Sequence, residues 1–149
     1  MTHRNAYGID DYTYRSAGGE PGIRALVDTF YDLMSTNPDY RTIWSWHPQD
    51  NRTSRDKLAR FLCGWMGGPR RYQEKYGAIS IPQVHAHLKI TKVERDQWLR
   101  CMTEALELRA YPQPFIDYLI AQLAKPAELI RSTCEHREAG AFTSSIEES

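Results

Sequence analysis

The sequence predicts an all-α protein, and three observations lead to that prediction. Four stretches carry apolar residues at the three- and four-residue spacing of amphipathic helices, and no convincing strand alternation appears. Glycine and proline separate these stretches, as they do between helices. The length of 149 residues suits one domain that buries a sizeable core.

The first long helix is predicted to follow a polar, tyrosine-containing N-terminal arm of about residues 1–17, which is expected to hold one short helix. After Gly18-Gly19, both Glu20 and Pro21 suit the first turn of a helix. Asn37-Pro38 ends it. The apolar stripe between these limits consists of Ile23, Leu26, Val27, Phe30, Tyr31 and Met34.

A second long helix is predicted to begin at Thr53 or Ser54 and to end at Gly67-Gly68-Pro69, because proline cannot continue a helix. Its apolar residues are Leu58, Phe61, Leu62, Trp65 and Met66. The basic and aromatic stretch of residues 70–81 is predicted to be irregular.

Two more helices are predicted in the C-terminal half, one from about Val93 to Leu108 and one that begins near Phe115. Pro126 falls inside the last pattern and is expected to kink that helix or to split it in two. The polar tail of about residues 136–149 is expected to be disordered or frayed.

Composition excludes several classes of protein. Nineteen Lys and Arg balance nineteen Asp and Glu, which argues against a nucleic-acid partner. The chain has no 18-residue apolar run to cross a membrane. Three cysteines without a Cys-x-x-Cys pair, and no signal peptide, favour a reducing, cytoplasmic location. Nine Tyr and four Trp indicate an aromatic core or a ligand pocket.

Histidines offer the most specific chemistry in the chain. His85 and His87 point to different sides of a helix, whereas in an extended segment they would share a face and form a metal-ligand pair. No Cys or carboxylate at zinc spacing supports such a pair. One histidine is enough to hold haem iron. Tyr31 and Trp98 lie on apolar stripes and bring hydrogen-bond donors, although spacing alone fits ordinary core aromatics as well.

Three stretches of the chain resemble the group II truncated haemoglobins, over about residues 15–124. The first is Gly18-Gly19 and the helix that leads to Phe30-Tyr31. The second runs from His47-Pro48 through K-L-A-R-F-L to the string G-W-M-G-G-P. The third runs from His85 to the string E-R-D-Q-W-L-R-C-M. The resemblance implies one globin domain over residues 1–149, with a two-over-two helical sandwich around haem b.

The resemblance also implies roles for individual residues. His85, nine residues before Glu94, stands where the family has its proximal iron ligand, and Val84 stands where the family often has arginine. The distal positions that stabilise a bound ligand are Tyr31, His47 and Trp98. The other implied cofactor contacts are Phe30, Ser54, Lys57, Leu58, Phe61, Leu62, Tyr72, Tyr76, Leu88 and Met102. Of these, Lys57 is expected to reach a propionate, together with Tyr72 or Tyr76.

The implied function is binding of dioxygen or another diatomic ligand at ferrous iron, with strong distal hydrogen bonding and slow release. Such a site suits redox or detoxification chemistry on nitric oxide or peroxide, and peroxidase or nitric oxide dioxygenase activity stays open. The implied partners are the ligand and an unknown reductase, and the chain is expected to be a monomer or a homodimer. One alternative is a gas sensor or electron-transfer haem protein with a second axial ligand from His47 or Tyr31. Another is a helical interaction module without a cofactor.

Overall fold

The computed structural model describes the backbone of residues 6–77 and 90–147, and the side chains of residues 6–77 and 90–132. All regular structure in these ranges is helical, which confirms the all-α prediction. The elements are α1 (Tyr12–Ser16), α2 (Gly19–Thr36), a 3-10 turn (Pro38–Tyr40), α3 (Arg41–Ser45), α4 (Arg52–Trp65), α5 (Arg71–Tyr76), α6 (Lys92–Leu108) and α7 (Gln113–Glu147).

Two layers of helices enclose the core. Helices α2 and α4 pack together in one layer, α6 and α7 pack together in the other, and α2 also packs against α6. The predicted stripe of α2 is buried in full, and side chains from the other helices meet it in one cluster. Each large apolar side chain that is buried there contributes about 1.5–3 kcal/mol to stability. The predicted two-over-two arrangement is confirmed.

The N-terminal arm is fastened to the turn after α4. The backbone N–H of Tyr14 donates to the carbonyl of Met66 at 3.1 Å, and Gly67 makes the turn with a φ of +92°. A Cβ on Gly68 would lie 2.4 Å from the Tyr14 ring, so only glycine allows this approach. Farther along the arm, the ring of Tyr7 packs against Tyr12, Phe115 and Tyr118. The tyrosines of the arm therefore serve to attach it to the helical core.

The start of α6 is fixed by a capping box at Thr91. The Thr91 hydroxyl accepts a hydrogen bond from the backbone N–H of Val93 (3.2 Å), and the Thr91 N–H donates to Glu94 Oε1 (3.1 Å). Together these bonds satisfy backbone groups that the first helical turn leaves unpaired. The helix thus starts at Lys92, one residue before its predicted start, and directly after the segment that contains His85.

The prediction that residues 70–81 are irregular was wrong for the part that forms α5. Arg71 pairs with Glu74 at 3.1 Å, and the rings of Tyr72 and Tyr76 pack with centroids 5.1 Å apart. These contacts between residues three and four apart stabilise a short helix. Gly77 ends it at a φ of +81°.

The prediction that Pro126 splits the last helix was also wrong, because α7 runs through it. Two ion pairs hold the turn that follows the proline. Glu128 accepts hydrogen bonds from Arg95 of α6 and from Arg131, both at 2.6 Å. The backbone of α7 is helical to Glu147.

Candidate functional site

Phe30 joins the two layers at the centre of the site. Its ring is fully buried and meets the ring of Trp98 edge-on, with centroids 5.2 Å apart, and that of Tyr31 at 5.4 Å. The Cys101 thiol donates to the Phe30 carbonyl at 3.4 Å, which ties α6 to α2 at this point. Helices α2 and α6 therefore hold Tyr31 and Trp98 against one buried ring.

His47 completes the group of polar aromatic residues. Its ring meets that of Tyr31 edge-on, and Trp44 stacks on it with centroids 6.1 Å apart. The Nδ1 atom lies 3.0 Å from the carbonyl oxygen of Ile43. Because a carbonyl only accepts, Nδ1 carries the hydrogen, and in the neutral imidazole Nε2 has none. The expectation that His47 donates to a ligand therefore applies only to its protonated form.

Tyr31 and Trp98 are the two donors that keep their hydrogens at ordinary pH. Burial raises the pKa of Tyr31 to about 12, although the Arg55 guanidinium opposes that rise. Among the residues that the structure describes, none accepts a hydrogen bond from the Tyr31 hydroxyl or from the Trp98 indole. A buried phenol or indole usually has a hydrogen-bond partner. Both groups are thus suited to a ligand that accepts hydrogen bonds.

Helix α4 supplies an apolar wall next to these donors. Ser54, Leu58 and Phe61 follow one another at helical spacing and are half-buried, and Phe61 stacks on Trp65. A half-buried apolar face of this kind can cover a flat aromatic cofactor. By contrast, three of the expected contacts are fully buried in the core: Phe30, Leu62 and Met102.

The three expected propionate partners differ in their exposure and in their hydrogen bonds. Lys57 is exposed, and its ammonium lies 5.3 Å from the centroid of the Tyr76 ring. The Tyr76 hydroxyl donates to Asp56 at 2.6 Å, so it is not available to a propionate in this conformation. Tyr72 is buried against Tyr76. Of the three residues, exposed Lys57 is therefore the one best placed to reach a propionate.

Asp56 is a residue that the sequence analysis missed. Its carboxylate accepts hydrogen bonds from Arg24 (3.0 Å), Arg60 (2.9 Å), Lys75 (2.9 Å) and Tyr76 (2.6 Å). Burial alone would raise the pKa of Asp56, but these bonds outweigh it and hold that pKa well below its usual range. The four-residue spacing to Arg60 was visible in the sequence, whereas the other partners come from α2 and α5. Asp56 thereby joins three helices, and α5 leads toward the segment that contains His85.

The proximal side of the site lies outside the described residues. His85, His87 and Leu88 all belong to residues 78–89. Within the described ranges, no three His, Cys, Asp or Glu side chains gather to hold a metal ion. In the same ranges, no helix is long and apolar enough to cross a bilayer.

The donors and the apolar wall fit a haem group with a small ligand on its distal face, because they combine an apolar surface with two donors that have no acceptor among the described residues. A two-layer helical sandwich with such a site is the architecture of a small haem-binding globin. Residues 12–132 match the model of the family described as bacterial-like globin. The chain belongs to this family, as a group II truncated haemoglobin.

Similar proteins agree with this assignment. The group 2 truncated haemoglobin YjbI of Bacillus subtilis is 34% identical over 105 residues, which cover 70% of this chain and 77% of that protein. The group II 2-on-2 haemoglobin of Agrobacterium tumefaciens superposes with a TM-score of 0.77 at 29% identity, over 88% of this chain and 98% of that one. The truncated oxygen-avid haemoglobin of Bacillus subtilis superposes with a TM-score of 0.70 at 30% identity, over 79% and 97%.

Proposed function

We propose that the protein binds dioxygen or another diatomic ligand at the ferrous iron of haem b, with His85 as the axial ligand. The observation that carries this proposal is the pair of donors whose rings both pack on Phe30. Neither the Tyr31 hydroxyl nor the Trp98 indole has an acceptor among the described residues; Tyr31 belongs to the buried core cluster, and the partly buried Trp98 packs against it. The similarity to a haemoglobin described as oxygen-avid supports the same conclusion.

The haem group supplies the iron that binds the diatomic ligand reversibly. Tyr31 and Trp98 then donate hydrogen bonds to the ligand, and Leu58 and Phe61 keep water from competing for those bonds. A hydrogen bond to a charged acceptor contributes about 1.5–3 kcal/mol, so each donor slows release roughly tenfold to a hundredfold. Slow release favours redox or detoxification chemistry on nitric oxide or peroxide over bulk oxygen transport. This chemistry would use a separate reductase, with the chain working in the cytoplasm as a monomer or a homodimer.

The protonation states of the distal groups fit this role. Tyr31 has a pKa of about 12 and stays a donor over the whole physiological range. His47, with Nδ1–H bound to the Ile43 carbonyl, presents a lone pair at Nε2 when neutral and a second donor when protonated. The strength of ligand binding should therefore depend on Tyr31 and Trp98 more than on neutral His47.

Reconstitution with haem tests the proposal. The full-length chain should take up haem with a strong Soret band, and its ferrous form should bind dioxygen and carbon monoxide. His85→Ala should lose the axial bond, whereas the matched variant His87→Ala should keep a normal spectrum. A protein without a Soret band would refute the haem proposal. Loss of ligation in His87→Ala, with normal ligation in His85→Ala, would refute the axial assignment.

His47 supports a second candidate function. A histidine that ligates a metal almost always donates its other ring N–H to a carboxylate, a backbone carbonyl or water, and His47 Nδ1 has such a bond to Ile43. His47 could therefore be a second axial ligand in the ferric state, as a gas sensor or an electron-transfer protein requires. A six-coordinate low-spin ferric spectrum that disappears in His47→Phe would favour this candidate. A five-coordinate or water-bound ferric spectrum would exclude it.

A further inference from the structure

We infer that Arg55 is a positioning residue for Tyr31, which holds the phenol ring and strengthens its hydroxyl as a donor toward the ligand. The Arg55 guanidinium lies over the Tyr31 ring, with 5.4 Å between the guanidinium carbon and the ring centroid. This distance is within the range of a cation–π contact. The inference rests on the proposed function, since it concerns the ligand that Tyr31 would bind.

Four hydrogen bonds fix the guanidinium in place. Its Nε donates to Asn51 Oδ1 at 2.9 Å, Nη1 donates to Asp28 Oδ1 at 3.1 Å and to the Asp28 carbonyl at 3.3 Å, and Nη2 donates to Asp32 Oδ1 at 2.9 Å. All these N–H groups lie in the plane of the guanidinium. The acceptors therefore engage its edges, while the cation lies over the Tyr31 ring. Lysine has no such fork and could not make the same set of bonds.

The positions of the acceptors explain why the bonds orient Tyr31. Asp28 and Asp32 lie three residues before and one residue after Tyr31 on α2, whereas Arg55 and Asn51 belong to the beginning of α4. Arg55 thus connects the two helices around the tyrosine. A shift of α4 along α2 would move the cation off the ring, so the contact couples the placement of α4 to the orientation of the phenol.

The charges around the ring favour an effect of Arg55 over an effect of the aspartates. The side chains of Asp28 and Asp32 are 60% and 70% exposed, so water and salt screen their charges, whereas that of Arg55 is 23% exposed. Of these three groups, Arg55 is the one that acts on the ionisation of Tyr31, and it lowers that pKa against the effect of burial. A more acidic phenol donates a stronger hydrogen bond, so Arg55 should tighten the bond from Tyr31 to the ligand.

The test combines Arg55→Met with Arg52→Met as a matched control. Arg52 lies one turn earlier on α4, is 88% exposed and pairs with Asp50. In the haem-loaded ferrous protein, dioxygen release from Arg55→Met should be about two- to fivefold faster, the size of an ordinary cation–π contact. Release from Arg52→Met should stay unchanged. Arg55→Lys keeps the charge without the fork and should fall between Arg55→Met and the original protein.

A second readout does not depend on haem. The ring-carbon NMR signal of Tyr31, assigned by its loss in Tyr31→Phe, reports the ionisation of the phenol in the purified full-length chain at alkaline pH. Arg55→Met should raise the Tyr31 pKa and Arg52→Met should not. If Arg55→Met fails to fold, Arg55→Gln provides the same comparison with a neutral polar side chain.

A double-mutant comparison separates the positioning role from a merely structural one. In a Tyr31→Phe background, Arg55→Met should no longer change release. An equal acceleration in both backgrounds would overturn the inference, and so would an unchanged Tyr31 pKa in Arg55→Met. If Tyr31→Phe alone leaves release unchanged, the proposed function of Tyr31 fails, and the Tyr31 pKa in Arg55→Met then decides the inference by itself.

Discussion

The imidazole ring of His47 meets the phenol ring of Tyr31 edge-on, with ring centroids 5.1 Å apart and ring planes at 90°. Tyr31 belongs to α2, and His47 follows α3, whose Ile43 carbonyl holds its Nδ1. The contact places a phenol that keeps its proton at ordinary pH beside an imidazole whose Nδ1–H is already bound to a carbonyl. Tyr31 should therefore contribute more to ligand binding than His47.

Tyr31→Phe tests the hydrogen bond from the Tyr31 hydroxyl to the ligand. The substitution removes a hydroxyl that has no acceptor among the described residues and keeps the ring that packs on Phe30. Dioxygen release should become about tenfold to a hundredfold faster, since one hydrogen bond to a charged acceptor is lost. Stopped-flow displacement of dioxygen by carbon monoxide measures this rate. Tyr118→Phe, in the aromatic cluster of the arm, is the control, and an unchanged rate in Tyr31→Phe would contradict the role of the hydroxyl.

The hydrogen bond of His47 predicts a small effect of His47→Phe on dioxygen release. Because Nδ1–H is donated to the Ile43 carbonyl, a neutral imidazole has no second N–H to donate to the ligand. Phenylalanine keeps a flat ring beside Tyr31. Release in the same stopped-flow experiment should therefore change much less than in Tyr31→Phe. An acceleration as large as that of Tyr31→Phe would show that His47 donates to the ligand.

Trp98→Phe tests the donor from the other layer. Phenylalanine keeps an aromatic ring to pack on Phe30 but has no indole N–H to donate. Release should become about tenfold faster, by the same reasoning as for one hydrogen bond. Trp65→Phe is the matched control, because Trp65 is also half-buried but stacks on Phe61. Equal rates for Trp98→Phe and Trp65→Phe would show that the indole of Trp98 does not reach the ligand.

Asp56→Asn tests whether the Asp56 carboxylate stabilises the packing of α2, α4 and α5, and the free energy of unfolding is the quantity to compare. The depressed pKa of Asp56 means that its charge stabilises the fold at neutral pH, and that this contribution is lost as pH falls below about 5 and through the folded-state value. Asp56→Asn should lower the free energy of unfolding at pH 7 by about 1–3 kcal/mol. The substitution should also make the free energy of unfolding fall less steeply as the pH is lowered.

Urea unfolding between pH 3 and pH 7 measures both effects. The control is Asp50→Asn, which breaks an exposed pair with Arg52 and should leave stability at neutral pH nearly unchanged. If Asp56→Asn has the same acid dependence as the original protein, the carboxylate does not contribute as proposed.

Gly68→Ala tests the attachment of the N-terminal arm. A Cβ at this position would lie 2.4 Å from the Tyr14 ring, so the arm must shift, at a cost of about 1–3 kcal/mol. Thermal unfolding should show a lower Tm for Gly68→Ala. In a Tyr14→Ala background the same substitution should cost much less, because no ring opposes the methyl group. Equal costs in both backgrounds would place the strain elsewhere.

The long helices were predictable because the apolar residues that recur at helical spacing are the residues that become buried. All six residues of the predicted α2 stripe are buried, and Asn37-Pro38 ends that helix as expected. A shared site for Tyr31 and Trp98 was expected from the family resemblance alone. Spacing along the chain gives no information on which residues of separate helices pack on Phe30.

The residues missed by the sequence analysis are those whose partners lie far away along the chain. Asp56 and Arg55 read as ordinary charges on a helix surface, since such residues are mostly solvated. Arg24 lies 32 residues before Asp56, and Asp28 lies 27 residues before Arg55. Only the packing of α2 on α4 brings these charges together. The error at Pro126 has a similar origin, because ion pairs from α6 support the turn that follows it.

Three consecutive residues of α4 each contact another helix. Arg55 contacts the Tyr31 ring, Asp56 accepts from α2 and α5, and Lys57 lies over Tyr76. Each residue of a helix is rotated by about 100° from the one before, so all three contacts depend on the same rotational phase. Loss or gain of a single residue between Lys57 and Ala59 would turn them all relative to the buried side of α4, which Ala59, Leu62 and Cys63 form. Changes in chain length should therefore be tolerated before Asn51, in the polar loop after His47, and rejected in the middle of α4.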